Sequence, residues 1–150
     1  MVTPIQILLV EDNEDDYEAT LRSFRRNRFV NPIKWCRNGQ EALDYLSGKE
    51  DVAGALAAQK PDLILLDLNM PGIDGRHVLN IIKADATLRS IPVIVLTTST
   101  DAKDIAECYS MGANSYIQKP LSLEGLTDAI RIMTDYWFDV AILPRRVEDK

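Results

Sequence analysis

The sequence is short of everything that would staple, anchor or metallate a chain through sulfur or imidazole. Its two cysteines, Cys36 and Cys108, are far apart, and neither has a His or Cys partner at metal-ligand spacing. Neither a disulfide framework nor a structural zinc site is written there, and both thiols are expected free and partly buried in a reducing cytoplasm. The single histidine, His77, is expected on a helix surface rather than as a catalytic base. Glycine and proline number 7 each, too few for a fibrous or disordered chain. No apolar run approaches the roughly 20 residues that cross a bilayer. The first, Ile7–Val10, is preceded by no basic segment and closed at once by Glu11 and Asp12, which excludes a leader reading and points to a cytoplasmic location. Positive charge is also in deficit: 17 Lys and Arg against 23 Asp and Glu give a net charge of -6. An acidic surface argues against nucleic acid or an anionic membrane as a partner.

What is present describes one ordinary domain. The 150 residues, 46% hydrophobic and 27% charged, suffice for a core without staples, and no linker or repeat divides 1–150. Short β-rich runs at 5–10, 33–36, 63–66, 93–96 and 116–117 alternate with helical periodicity. Tyr17, Leu21 and Phe24 share a helical face, as do Val78 with Ile82, and Ala102, Ile105, Ala106 and Tyr109. Leu123, Leu126, Ile130, Met133 and Trp137 form a longer stripe, with Ser122 as its cap and Gly125 where a capping box would place an acid. Runs 63–66 and 93–96 are continuously apolar, the mark of strands covered on both faces. Five β-α units with right-handed crossovers make an α/β, doubly wound parallel sheet. The Ala-rich stretch 47–60 is read as a helix extension plus loop.

Ligands of such sheets bind beyond the carboxyl ends of the strands. There the sequence places Glu11 and Asp12 after the first strand, Asp67 after the third, Thr97 at the end of the fourth and Lys119 at the end of the fifth. Two carboxylates at about 4 Å repel by roughly 4 kcal/mol at an effective dielectric near 20, so such a cluster holds a proton or a cation. Hard oxygen donors suit Mg2+. Asp67 is then the candidate nucleophile for a phosphoryl group. Glu11, Asp12, Asp67 and the backbone carbonyl of Asn69 are the candidate metal ligands, with Glu11 acting through a water. Lys119 and Thr97 would hold the phosphoryl oxygens on which transition-state charge accumulates.

The segments 7–13 (ILLVEDN), 65–75 (LLDLNMPGIDG), 95–98 (VLTT) and 117–120 (IQKP) together resemble the receiver domain of two-component response regulators, across nearly the whole chain. The resemblance implies a flavodoxin-like receiver fold with five parallel strands in the order 2-1-3-4-5. It also implies a phosphoacceptor protein rather than an enzyme, one that assists its own phosphorylation and dephosphorylation. A histidine kinase would phosphorylate Asp67 with Mg2+ as cofactor, Mn2+ or Ca2+ being substitutes. It further implies a cis peptide between Lys119 and Pro120, a switch made of Thr97 and Tyr116 that alters the α4-β5-α5 surface, and control of signal lifetime by Asn69 and Ser99. The insert after Leu46, the run 89–99 and the ending at Tyr136, Trp137, Leu143 and Pro144 are similar to the small response regulators of cyanobacterial phytochromes, which implies a light-sensing kinase.

A second stripe on the last helix, Ala129, Ile132, Tyr136 and Val140, is apolar beyond what a sheet needs. It predicts a twofold homodimer, with a C-terminal extension from about 138 folding back over this face as the alternative. Arg22, Arg25, Arg26 and Arg28 form a basic cluster on the first helix, read as a solvated face or as kinase docking. Three rival classes are weaker. A flavodoxin-type carrier would repel its flavin phosphate with Glu11 and Asp12. An aspartyl-phosphate-forming phosphatase needs a second acid where Asn69 stands. A receiver-like binding module has no need of the full acid, Thr and Lys set. The downstream partner, a protein, is not encoded in any recognisable way.

Overall fold

The computed structural model describes residues 4–48 and 60–144. Strands β1 (Ile7–Val10), β2 (Ile33–Cys36), β3 (Leu63–Leu66), β4 (Val93–Thr97) and β5 (Ser115–Gln118) alternate with helices α1 (Glu14–Arg26), α2 (Gly39–Ser47), α3 (Gly75–Ala84), α4 (Ala102–Met111) and α5 (Leu123–Thr134). The strands form one parallel sheet in the order β2-β1-β3-β4-β5, as expected. The reading of 47–60 as a helix extension falls mostly on 49–59, outside the described residues. Gly48, in the left-handed conformation (φ 82°), closes α2 at Ser47.

The continuous apolar runs divide by parity. Leu8, Val10, Ile64, Leu66, Val93 and Val95 face Ala42 and Leu46 of α2, Val78, Leu79 and Ile82 of α3, and Cys108 of α4. Ile7, Leu9, Leu63, Leu65, Ile94 and Leu96 face Phe24 of α1 and Leu126, Ile130 and Met133 of α5. Successive side chains on a strand point to opposite faces, so a sheet clothed on both sides must be apolar at every position. Each fully buried Leu, Ile or Phe contributes about 1.5–3 kcal/mol. Both cysteines are buried, and neither takes part in a disulfide among the described residues.

Side-chain caps set the starts of the helices. Asn13, Asn38, Asp74, Asp101 and Ser122 each accept a hydrogen bond from a first-turn backbone amide. Ser122 caps α5 without a capping box, as the glycine at 125 implies, and that position leaves little room for a side chain: a Cβ there would lie 2.9 Å from Cβ of Pro120. After α5 the chain continues as a π-helix, Asp135–Val140. Phe138 stacks on Phe29 with ring centroids 5.3 Å apart, and Leu143 is buried. The tail therefore lies against the end of α1 and leaves Ile132 and Tyr136 uncovered, 61% and 52% exposed.

Candidate functional site

Parallel pairing brings the carboxyl ends of the strands to one rim, and the loops that follow carry the polar residues. Val10 and Leu66 are register partners on β1 and β3, so Glu11 and Asp67, the next residues, stand side by side. The Asp67 amide donates to the Val10 carbonyl (3.1 Å) and fixes the turn out of β3. At the other edge, the Lys119 amide donates to the Thr97 carbonyl (2.7 Å), which aligns the end of β5 with that of β4. Glycine at 75 is required by close approach: a Cβ there would sit 2.1 Å from the carbonyl oxygen of Asp67. The first turn of α3 thus rests directly on the main chain of the candidate phosphoacceptor.

Three of the predicted acids converge. Carboxylate oxygens of Glu11, Asp12 and Asp67 lie within 4.8 Å of one another; Glu11 and Asp67 are buried and Asp12 is exposed. The Lys119 ammonium reaches Glu11 Oε1 at 2.6 Å and Asp67 Oδ2 at 3.5 Å. It also reaches Asp16 Oδ2 at 3.0 Å, a partner that no motif flagged. One ammonium cannot balance four carboxylates, so the rim stays anionic. Burial pushes the Glu11 carboxyl up to about 7, against the opposing effect of its hydrogen bond and charge attraction to Lys119; the Asp67 charge pushes it further in the same direction as burial. For Lys119, burial favours the neutral form, but the hydrogen bond to Glu11 and the charges of Glu11 and Asp67 outweigh it and leave the ammonium raised.

The remaining predicted residues lie on β4, on β5 and on the loops that follow β3 and β4. The Thr97 hydroxyl is fully buried and is the buried side-chain polar atom without a partner among the described residues. Asn69 is exposed two residues beyond Asp67. The Ser99 hydroxyl donates to Asp104 Oδ2 (2.8 Å). Tyr116 is half-buried, and its hydroxyl donates to the Ser99 carbonyl (3.0 Å). Its amide donates to the Tyr109 hydroxyl (3.1 Å), which caps an outward group of the edge strand. Arg76 joins α3 to α4 through Asp104, at 2.6 Å, a bridge that sequence reasoning missed.

One expectation is corrected. The bond between Lys119 and Pro120 is trans, as is every described peptide bond. Trans is the form an X-Pro bond favours by about 0.5–1 kcal/mol, and in it Lys119 already reaches its three carboxylates while the Pro120 ring fills the space beside Gly125. His77 is exposed, as anticipated.

With this geometry in view, the class is defined. Residues 7–131 match the response regulator receiver domain family, and the chain belongs to it. Its relatives include the probable methanogenesis regulatory protein FilR2 of Methanothrix harundinacea, 45% identical over 89% of this chain and 84% of that one. The response regulator Rcp1 of a Synechocystis strain is 33% identical, with 94% of each chain covered. The Mn2+-bound crystal structure of Rcp1 superposes with a TM-score of 0.83 over 94% of this chain and 99% of that one. The phosphorylated cyanobacterial phytochrome response regulator RcpA, 39% identical, gives 0.85 over 95% and 99%. The chain is a receiver of two-component signalling, with phytochrome response regulators among its homologues.

Proposed function

We propose that this receiver accepts a phosphoryl group on Asp67 from a phosphohistidine, in a step that depends on Mg2+. The observation that carries the reading is the arrangement around Asp67. A lysine ammonium lies 3.5 Å from its carboxylate, a buried hydroxyl without a partner stands at the end of the adjoining strand, and two further acids crowd the same space.

The donor set fits a hard divalent cation: three clustered carboxylates with excess negative charge. Glu11, Asp12 and Asp67 would hold it together with the Asn69 carbonyl, and it would neutralise the acids and the incoming phosphoryl oxygens. In the transfer, an Asp67 carboxylate oxygen forms a bond to phosphorus as the bond from phosphorus to the histidine nitrogen breaks, and the imidazole leaves. Lys119 turns from the carboxylates to a phosphoryl oxygen, and the Thr97 hydroxyl donates to another. Movement of Thr97 pulls on the loop whose Ser99 carbonyl holds Tyr116, so the charge event is passed to the surface of α4, β5 and α5. The same residues assist hydrolysis, and Asn69 and Ser99 set its pace. The Ser99 effect runs through its tie to Asp104.

The kinase docks on α1 and the loop after β5. Between them an open cleft is lined by Asp16, Arg22, Lys119, Leu121 and Leu126, with Leu121 fully exposed. The relation to phytochrome regulators supports a light-sensing phytochrome kinase in the cytoplasm, while FilR2 shows that close sequence likeness extends to a protein named for another pathway. The exposed Ile132, Tyr136, Val140 and Ile142, beside the half-buried Ala129, form the surface of a homodimer. No helix among the described residues is long and apolar enough to cross a membrane.

The test is incubation with acetyl phosphate and Mg2+, read by intact mass and by sizing. Wild type should gain one phosphoryl mass, Asp67→Asn none, and Ile132→Glu should elute as monomer. An unmodified wild type would end the phosphoacceptor reading. Ile132→Glu eluting with wild type as a dimer would remove the assigned interface.

A further inference from the structure

Trp35 lies on the edge strand β2, opposite Leu9 in the register, and belongs to none of the motifs around the site. Its indole N–H donates to the main-chain carbonyl of Glu11 (2.8 Å). The Glu11 amide donates in turn to the carbonyl of Cys36, the next residue of the same strand (3.0 Å). The main chain of Glu11 is therefore gripped on both sides by β2 just where β1 has ended. A peptide group is planar, so holding the Glu11 carbonyl also fixes the Asp12 amide and its α-carbon. The ring is itself clamped. Tyr17 of α1 stacks on it with centroids 3.7 Å apart and planes 5° from parallel, and the Arg37 guanidinium lies 4.2 Å from its centroid.

Packing alone does not require this arrangement. A phenyl ring would satisfy Tyr17 and Arg37, whereas only the indole N–H, a donor with no acceptor function, reaches Glu11. We propose that Trp35 is a positioning residue: through the hydrogen bond from Nε1 to the Glu11 carbonyl it sets the orientation of the adjacent acids Glu11 and Asp12 for a divalent cation. The proposal rests on the metal-dependent reading above. Partners that orient metal ligands affect affinity although they never touch the ion. A neutral hydrogen bond acting through the main chain contributes a several-fold effect, about fivefold.

The experiment uses the full chain stripped with EDTA, with Mn2+ affinity measured by titration calorimetry and melting recorded in EDTA. Trp35→Phe keeps the aromatic face and removes the donor. It should bind Mn2+ about fivefold more weakly than wild type, while Trp137→Phe, away from the site, stays within about twofold. A second measurement guards against general damage in Trp35→Phe. In Trp137→Phe, Trp35 is the one remaining tryptophan, and its emission should change with Mg2+, which is not an intrinsic quencher, and saturate at the concentration calorimetry gives. Undiminished Mn2+ binding by Trp35→Phe, or Trp35 emission indifferent to Mg2+, would overturn the positioning role and leave the metal reading intact. Absence of binding by wild type would overturn both.

Discussion

Glu11 offers the sharpest test of the site's electrostatics, because its burial makes a prediction with a definite sign. Burial pushes the folded-state carboxyl up to about 7 from its ordinary 4.5, so the native protein holds this proton more tightly than the unfolded chain does. Its contribution to stability is fully present below about 4.5 and is lost as pH rises through about 7. A difference of this size corresponds to about 3 kcal/mol at most, at 1.36 kcal/mol per unit. For a chain of this length that is about 6–12 °C in melting temperature. The window keeps Glu11 apart from the shift of its partner Lys119 and from the lowered acids. The raised Lys119 ammonium stabilises below 10.5 and loses that effect only above it. The lowered carboxyls of Asp85 and Asp104 matter only as pH falls below 3.8. The perturbation is Glu11→Gln, measured by thermal melts in EDTA at pH 5 and pH 7.5. Wild type should lose stability between the two, and the variant should match it near pH 5 and exceed it at pH 7.5. Saturating Mg2+ should flatten the wild-type loss, because a cation favours the ionised acid. Parallel pH profiles for wild type and Glu11→Gln in EDTA would refute the claim that burial of this carboxyl governs the site.

Three further outcomes are expected. Gly75→Ala should destabilise the protein by about 3 kcal/mol in urea titration and lower phosphorylation by acetyl phosphate, because its Cβ would meet the Asp67 carbonyl at 2.1 Å. Arg76→Ala should weaken the junction of α3 and α4 by about 1 kcal/mol, judged by denaturant midpoint. With the guanidinium gone, the Asp104 carboxyl should titrate higher by NMR than its present lowered position, for which the Arg76 hydrogen bond is the first cause. Thr97→Val should leave the metal-free protein as stable as wild type or about 1 kcal/mol more so, since it removes a buried hydroxyl without a partner. The same change should slow phosphorylation in single-turnover labelling.

Legibility in the sequence followed the physics of each feature. Strands β3 and β4 were plain because residues 63–66 and 93–97 are buried at every position, and a strand clothed on both sides has no polar alternation to confuse it. Asp67 and Thr97 were readable because each follows or ends such a run, whereas Lys119 follows the half-buried, partly polar β5 and was legible through the IQKP segment; a parallel sheet must bring those ends together. Asp16 was missed: it reads as one of three acids in the first turn of α1, a pattern the helix dipole explains without any site. Its bond to Lys119 joins residues 103 apart in sequence, so only the packing of α1 near the end of β5 creates it. Trp35 was missed because edge-strand aromatics are common, and nothing local says that its N–H will find the carbonyl of Glu11. The bridge from Arg76 to Asp104 spans two helices, and only tertiary packing creates it. The trans bond at Pro120 shows the opposite limit: a resemblance carried an isomer that local geometry does not require here.

The cluster also carries polar demands that its own residues leave unmet. A fully satisfied rim would have Glu11 ionised at ordinary cost, Thr97 paired, and Lys119 matched by one acid. Instead Glu11 is pushed up to about 7, the Thr97 hydroxyl is buried without a partner, and one ammonium faces three carboxylates within 2.6–3.5 Å. Each unmet demand is of a kind that a cation and a phosphoryl group would meet. A cation held by Glu11, Asp12 and Asp67 would supply charge to the acids, and phosphoryl oxygens would accept from the Thr97 hydroxyl and the Lys119 ammonium. An equilibrium between two arrangements can shift only by the difference in a ligand's interaction with each. A site already content when empty would have little difference to offer. If Asp67 is phosphorylated as proposed, the polar atoms left unmet here are the ones through which the phosphoryl group would act on α4, β5 and α5, so satisfying them by substitution should blunt that response.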